Sequence, residues 1–193
     1  METLEVVEQG LAGGRSGIAG IGDTPLDTPT PCARWDVRHL VNHVVSANAV
    51  IVKALSSEDG DWDAWGKDSV HADVLAEIDV WPNPLEQYDP NIAYVCAAAR
   101  DFPPDRLFLM SGNQVPAIML AHASSFDSVI HGWDLARVTG QDPEIPAGLV
   151  EAYLSIASGI PADGVATAFG PKIDVPASAS PTDRLVAALG RQP

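Results

Sequence analysis

A chain of 193 residues is long enough to bury one full core and short enough to be a single domain spanning 1–193. With 26 Asp and Glu against 11 Lys and Arg the net charge is -15, and no basic run interrupts the excess, so nucleic acid and anionic membranes are excluded as partners. Apolar residues make up 46% of the chain but never run for the roughly 20 positions of a membrane span, and Met1-Glu2-Thr3-Leu4-Glu5 lacks the basic start of a signal peptide, so a cytoplasmic location is expected.

Residues 3 to 9 carry a helical pattern, after which six of the thirteen residues from Gly10 to Gly22 are glycine. Each glycine costs a helix about 1 kcal/mol relative to alanine, which predicts a weak or broken first helix. A nucleotide loop is not indicated, because no apolar strand precedes the glycines and no Gly-Lys-Ser/Thr follows them. A loop over residues 23 to 31 leads to Trp35 and Asp36, with Asp36 placed to favour the first turn of a second helix over residues 37 to 55. Val37, Leu40, Val41, Val44 and Val45 form its inward stripe, and His43 lies on or beside that stripe.

Residues 56 to 73, with Glu58, Asp59, Asp61, Asp63 and Asp68, read as an exposed acidic loop without EF-hand spacing, and His71 within it as solvated. A third helix is expected in two pieces, 74 to 80 and 92 to 100, broken by Trp81-Pro82-Asn83-Pro84. Residues 106 to 110 have strand-like content and Ser111-Gly112-Asn113 a turn, predicting a brief hairpin. A fourth helix starts at Val115 or Pro116 and closes at Gly140, and residues 147 to 158 follow as a last bundle helix. Ile173-Asp174-Val175 is expected as a short strand pairing with 106 to 110, and residues 181 to 190 as a short amphipathic helix stopped by Gly190.

Chemistry concentrates in the fourth helix. Asp127 and His131 stand at i, i+4 and so share a face, at the spacing of a metal-binding pair, while Phe126, Val129, Ile130 and Trp133 supply apolar flanks. A carboxylate buried beside an imidazole needs a partner, and a divalent cation is one, a local hydrogen-bonded pair being the alternative. His43 offers a third ligand from another helix, and the pair His39 and His43, also i, i+4, leaves a second arrangement open. His122, nine residues before His131, is about half a turn out of phase and should face away. Asp134 is placed either to orient His131 or to pair with Arg137. Arg137 and Arg38 are candidates to hold a substrate carboxylate. Cys32 and Cys96 are too few for a zinc cage or a disulfide framework and read as small buried hydrophobes.

Four ordered blocks carry a family resemblance: Thr-Pro-Cys-x-x-Trp-Asp-Val-Arg-x-Leu-x-x-His from Thr30, Asp-x-x-x-His-Gly-Trp-Asp-Leu-Ala-Arg-x-Thr-Gly from Asp127, Phe-Gly-Pro from Phe169, and Asp-Arg-Leu-x-Ala-x-Leu-Gly-Arg-x-Pro from Asp183. Together they resemble the actinobacterial metal-binding proteins of the DinB superfamily, which are related to mycothiol-dependent maleylpyruvate isomerase. The resemblance implies a mainly all-α fold, a DinB-like four-helix bundle with a short C-terminal extension, and a metal held by His43, Asp127 and His131. It also implies a metal-dependent enzyme, with zinc as first choice and Fe2+ or Ni2+ as alternatives, that uses a low-molecular-weight thiol such as mycothiol on a small electrophilic substrate, as a transferase or isomerase. A non-haem iron oxygenase with the same two-His, one-carboxylate set, and a metal-binding protein without turnover, are the competing expectations. A homodimer is left open.

Overall fold

The computed structural model describes residues 2–57, 72–103, 105–110, 113–163 and 169–193. The helices are α1 (Thr3–Ala19), α2 (Val37–Ser56), α3 (Ala72–Ala76), α4 (Pro84–Asp101), α5 (Ala117–Thr139), α6 (Ala147–Gly159) and α7 (Pro181–Ala187), with strands β1 (Leu107–Met110) and β2 (Asn113–Pro116) between α4 and α5. The fold is therefore mainly helical with one small antiparallel hairpin, in register Leu107 to Pro116 and Phe108 to Val115. Among the described residues no helix is long and apolar enough to cross a membrane.

Local chemistry fixes the helix ends. Asp36 accepts the backbone N–H of His39 at 2.9 Å and so satisfies a free donor at the start of α2. Gly140 ends α5 in the left-handed region at φ 73°, which a side chain would resist. Ser180 and Asp183 form a reciprocal capping box at α7.

Helices α1, α2, α4 and α5 make the bundle, and their directions follow from which residues meet. Gly10 lies against Ser125 and Val129, and Gly17 against Gly132 and Leu135, so α1 and α5 run the same way. Arg15 pairs with Asp89 and Arg100 with Glu8, so α4 runs against α1. His43 meets Asp127 while Asn48 meets Ser124, so α2 runs against α5. It follows that α2 and α4 are parallel.

Four expectations are corrected. First, α1 is continuous through its glycines, because Gly10, Gly14 and Gly17 lie at the contact with α5, where the absence of Cβ lets two backbones meet. Second, α4 begins at Pro84 and runs through Pro90; Pro84 occupies the first turn, where a missing N–H costs nothing, and buried Tyr88, Val95 and Ala98 hold the rest. Third, residues 173–175 are not a strand: Ile173 donates to the Ala187 carbonyl at 2.9 Å, and β1 finds its partner in β2. Fourth, α6 packs outside the bundle, where Leu149, Val150 and Tyr153 form one apolar cluster with Val129, Ile130 and Trp133 of α5 and Leu185 and Val186 of α7. The acidic stretch and His71 fall mostly at 58–71, outside the described residues, as does the turn at 111–112.

Candidate metal centre

The antiparallel crossing of α2 and α5 brings His43 and the Asp127–His131 pair together. His43 Nε2 lies 3.2 Å from Asp127 Oδ1, and His131 Nε2 lies 3.4 Å from the same oxygen. Ligand atoms of the three residues all fall within 4.8 Å of one another. Both histidine side chains are 8% exposed, whereas Asp127 keeps 30% of its side chain open although its Oδ2 is out of solvent contact.

The donor set fits a divalent ion. Two ligands each about 2.1 Å from a tetrahedrally surrounded zinc stand roughly 3.4 Å apart, which matches the separations here, while the longer one is poor for a hydrogen bond. Asp127 Oδ2 and His43 Nδ1 are buried without hydrogen-bond partners among the described residues, a cost that ligation of the carboxylate would reduce. Asp134, fully buried, lies 2.9 Å from His131 Nδ1. An ionised Asp134 accepts the Nδ1 proton, so that Nε2, which faces Asp127, is the nitrogen that a metal would take, the carboxylate–histidine arrangement of metal sites.

Electrostatics follow the same geometry. Burial alone would raise the Asp127 carboxyl, but the His43 and His131 imidazoles outweigh it and hold the group well below the usual carboxylate range. Burial alone would lower His131, but Asp127 and Asp134 outweigh it and raise the imidazole to about 8. Asp134 is likewise held down against burial, first by the Arg191 guanidinium and then by His131.

Arg191 is the residue sequence reasoning missed. It is 3% exposed, donates from Nη2 to Asp134 Oδ2 at 3.1 Å and from Nη1 to the Leu189 carbonyl at 3.0 Å. Its signal was present in the terminal Gly-Arg-x-Pro block, but linear spacing cannot connect it to a carboxylate 57 residues away. Asp134 thus pairs with Arg191 and His131, and Arg137 instead lies exposed with its guanidinium 5.6 Å from the Trp133 ring. Arg38 reaches Asp79 at 3.2 Å and stands over Trp81. Among the described residues, neither arginine makes an ion pair with His43, Asp127 or His131.

The other singled-out residues separate cleanly. His39 Nδ1 sits 2.6 Å from Asp36, in the cap of α2 rather than in the cluster. His122 lies edge-on to Tyr153 of α6, its ring centroid 6.4 Å away. Cys32 is buried close enough to His131 and Asp134 to be a geometric metal candidate, and without a metal its burial, only partly offset by Arg191, pushes its thiol up to about 11. Trp35 tilts over His43 with centroids 4.5 Å apart and closes one side of the site. On another side a cavity of about 150 Å³ opens beside His43 and Asp127.

The sequence profile described as the mycothiol maleylpyruvate isomerase N-terminal domain matches residues 7–136. The chain belongs to this family. Within this DinB-like family, the matched span contains His43, Asp127, His131 and Asp134, while Arg191 lies beyond it. Two proteins of Mycobacterium tuberculosis, the uncharacterized proteins MT0763 of strain CDC 1551 / Oshkosh and Rv0738 of strain H37Rv, are each 25% identical over 181 residues, covering 90% of this chain and 89% of theirs. No solved structure matches.

Proposed function

We propose that this mycothiol isomerase-family protein is a metal-dependent enzyme, with zinc as its ion, that activates a low-molecular-weight thiol for addition to a small electrophile, as a transferase or isomerase. The observation that carries the reading is the convergence of His43, Asp127 and His131 at ligand separations beside a cavity, with Asp127 Oδ2 buried and without a hydrogen-bond partner among the described residues. Two imidazoles and one carboxylate leave coordination positions open, the condition for catalysis rather than structure. An ion held there supplies positive charge that lowers the pKa of a thiol or water from its free value, roughly 8.5 for a thiol.

The chain's own residues do the positioning. Asp134, oriented by Arg191, holds the Nδ1 proton of His131 and keeps Nε2 available. Trp35 lies over His43 and limits water on that side, which strengthens the electrostatics inside. The name of the matched family supports mycothiol as the thiol.

Elemental analysis and thiol titration test the reading. Purified protein should hold about one divalent ion per chain, His131→Ala should lose most of it, and His122→Ala should lose none. Metal retained by a His43→Ala, His131→Ala double variant removes the site assignment. In cobalt-substituted protein, mycothiol should give a sulfur-to-metal charge-transfer band near neutral pH that disappears with His131→Ala. A cobalt spectrum indifferent to thiol removes thiol activation, and native iron with oxygen uptake moves the chemistry to the oxygenase class.

A further inference from the structure

The two helices that hold the ligands also shape what can lie beside them. Ala47 is one turn beyond His43 on α2, and Ala123 is one turn before Asp127 on α5. Because the helices are antiparallel, both small residues lie on the same side of the cluster and leave a slot there. Val50, Ile51 and Leu75 complete apolar walls around the cavity of about 150 Å³. At roughly 30 Å³ for each water-sized unit, it admits a group of about five such units.

Two polar side chains line the slot in addition to the metal-site residues, and their hydrogens are committed. The Asn48 amide donates to the Val44 carbonyl at 2.9 Å, which orients its Oδ1 to accept from Ser124 Oγ at 2.5 Å. Ser124, 3% exposed, has thus spent its only proton and offers lone pairs alone. Among the described residues lining the cavity there is no Lys or Arg, and Asp127 adds a carboxylate. Arg38 and Arg137, the sequence candidates for a substrate carboxylate, are engaged with Asp79 and Trp133 instead. In the sequence between Ser57 and Ala72, Lys67 is the sole Lys or Arg against five acids.

From this slot we infer that the site takes an uncharged small molecule with an apolar arm of a few carbons, and disfavours one whose arm ends in a carboxylate. Among the described residues of the lining, an anionic arm would meet the Ser124 lone pairs and the Asp127 carboxylate with no Lys or Arg side chain to compensate it, which disfavours it. A hydroxyl or amide N–H on the arm would instead find Ser124 as an acceptor. The inference rests on the metal-centre reading above.

Three hydroxamates with one metal-binding head and different tails test it on zinc-loaded protein by calorimetry. Acetohydroxamate reports the open metal position alone, butanohydroxamate adds an apolar tail, and the monohydroxamate of succinate adds an anionic one. Butanohydroxamate should bind about tenfold tighter than acetohydroxamate, from two more buried methylenes, and at least about tenfold tighter than the succinate compound. Ala47→Phe should remove the tail advantage while leaving acetohydroxamate unchanged, and Ala123→Arg, at an exposed position, should reverse the preference toward the anionic tail. An anionic tail binding as tightly as the propyl tail in the unaltered protein overturns the inference, as does a propyl tail that adds nothing. If acetohydroxamate itself fails to bind protein carrying the metal, the open-position reading falls and takes this inference with it.

Discussion

Helix α5 presents two faces built on opposite principles. Toward α1 it approaches so closely that a Cβ on Gly132 would stand 2.7 Å from the Gly13 carbonyl oxygen, and nothing but backbone fits. Toward α2 and the C-terminal arm it presents Asp127, His131 and Asp134, each contacting a charged or ionisable group. The first face is held by shape and the second by charge compensation. Damage to each should therefore be read out differently: packing changes should act on stability, and changes in the polar chain on stability and metal affinity together.

The largest expected effect lies on the charged face. Arg191→Met leaves Asp134 buried with His131 alone among the described residues to offset it, and breaking a buried pair in this way costs about 3–5 kcal/mol of stability. Because Asp134 orients His131, zinc affinity should also fall by about 10- to 100-fold in the fraction that folds. Chelator competition checks the second number and chemical denaturation the first. In an Asp134→Asn background the same substitution should cost far less metal affinity, since the route through Asp134 is gone.

Next comes the packed face. Gly132→Ala forces the α1 backbone away, and overpacking of this kind costs about 1–3 kcal/mol or more. At about 4–8 °C per kcal/mol for a small domain, and less for a longer chain, a drop in Tm of several degrees should follow. Once folded, the variant should hold zinc as tightly as the unaltered protein. A large loss of metal affinity here would mean that the two faces are mechanically coupled.

These two faces also differ in how well the sequence announced them. Asp127, His131 and His43 were legible because helical spacing and an apolar stripe place polar side chains on a common face before any tertiary contact is known. Gly10, Gly14 and Gly17 were misread because helix propensity describes an isolated helix, and here tertiary contact with Ser125, Ser128 and Gly132 overrode it. The start of α4 was hidden for a related reason: Pro84 reads as part of a break in the sequence, while its place in the first turn makes it harmless. Arg191 and the slot between Ala47 and Ala123 exist only once distant segments meet.

The pH response separates metal-free from metal-loaded protein. Without metal, His131 is raised from 6.5 to about 8 by Asp127 and Asp134, against its own burial. A folded-state pKa above the unfolded one stabilises where the imidazole is charged: fully below about 6.5, and no longer once pH has risen past about 8, an effect of about 2 kcal/mol. Metal binding requires the uncharged Nε2 and so strengthens over the same window. Melting curves with chelator should fall in Tm between pH 6.5 and 8, while zinc raises Tm by an increment that grows with pH. An increment that does not change with pH would detach His131 from the metal.

The smallest effect is the sharpest test of the packed face, because it goes the other way. Gly13 sits in the same helix as Gly10, Gly14 and Gly17, yet a Cβ on it would meet nothing within 4 Å among the described residues. At such a position glycine contributes only its excess freedom in the unfolded chain, so Gly13→Ala should stabilise by about 0.5–1 kcal/mol. Gly14→Ala, one residue on, would push a Cβ to 2.7 Å from the Tyr88 hydroxyl and 2.8 Å from Ser128 Cβ, and should destabilise. Opposite signs at neighbouring glycines, measured by denaturant midpoints with unchanged m-values, can arise only from the direction each Cβ takes, since composition and helix propensity are the same for both. Destabilisation by both would mean that α1 depends on glycine flexibility as such, and would undo the assignment of this face to close backbone packing.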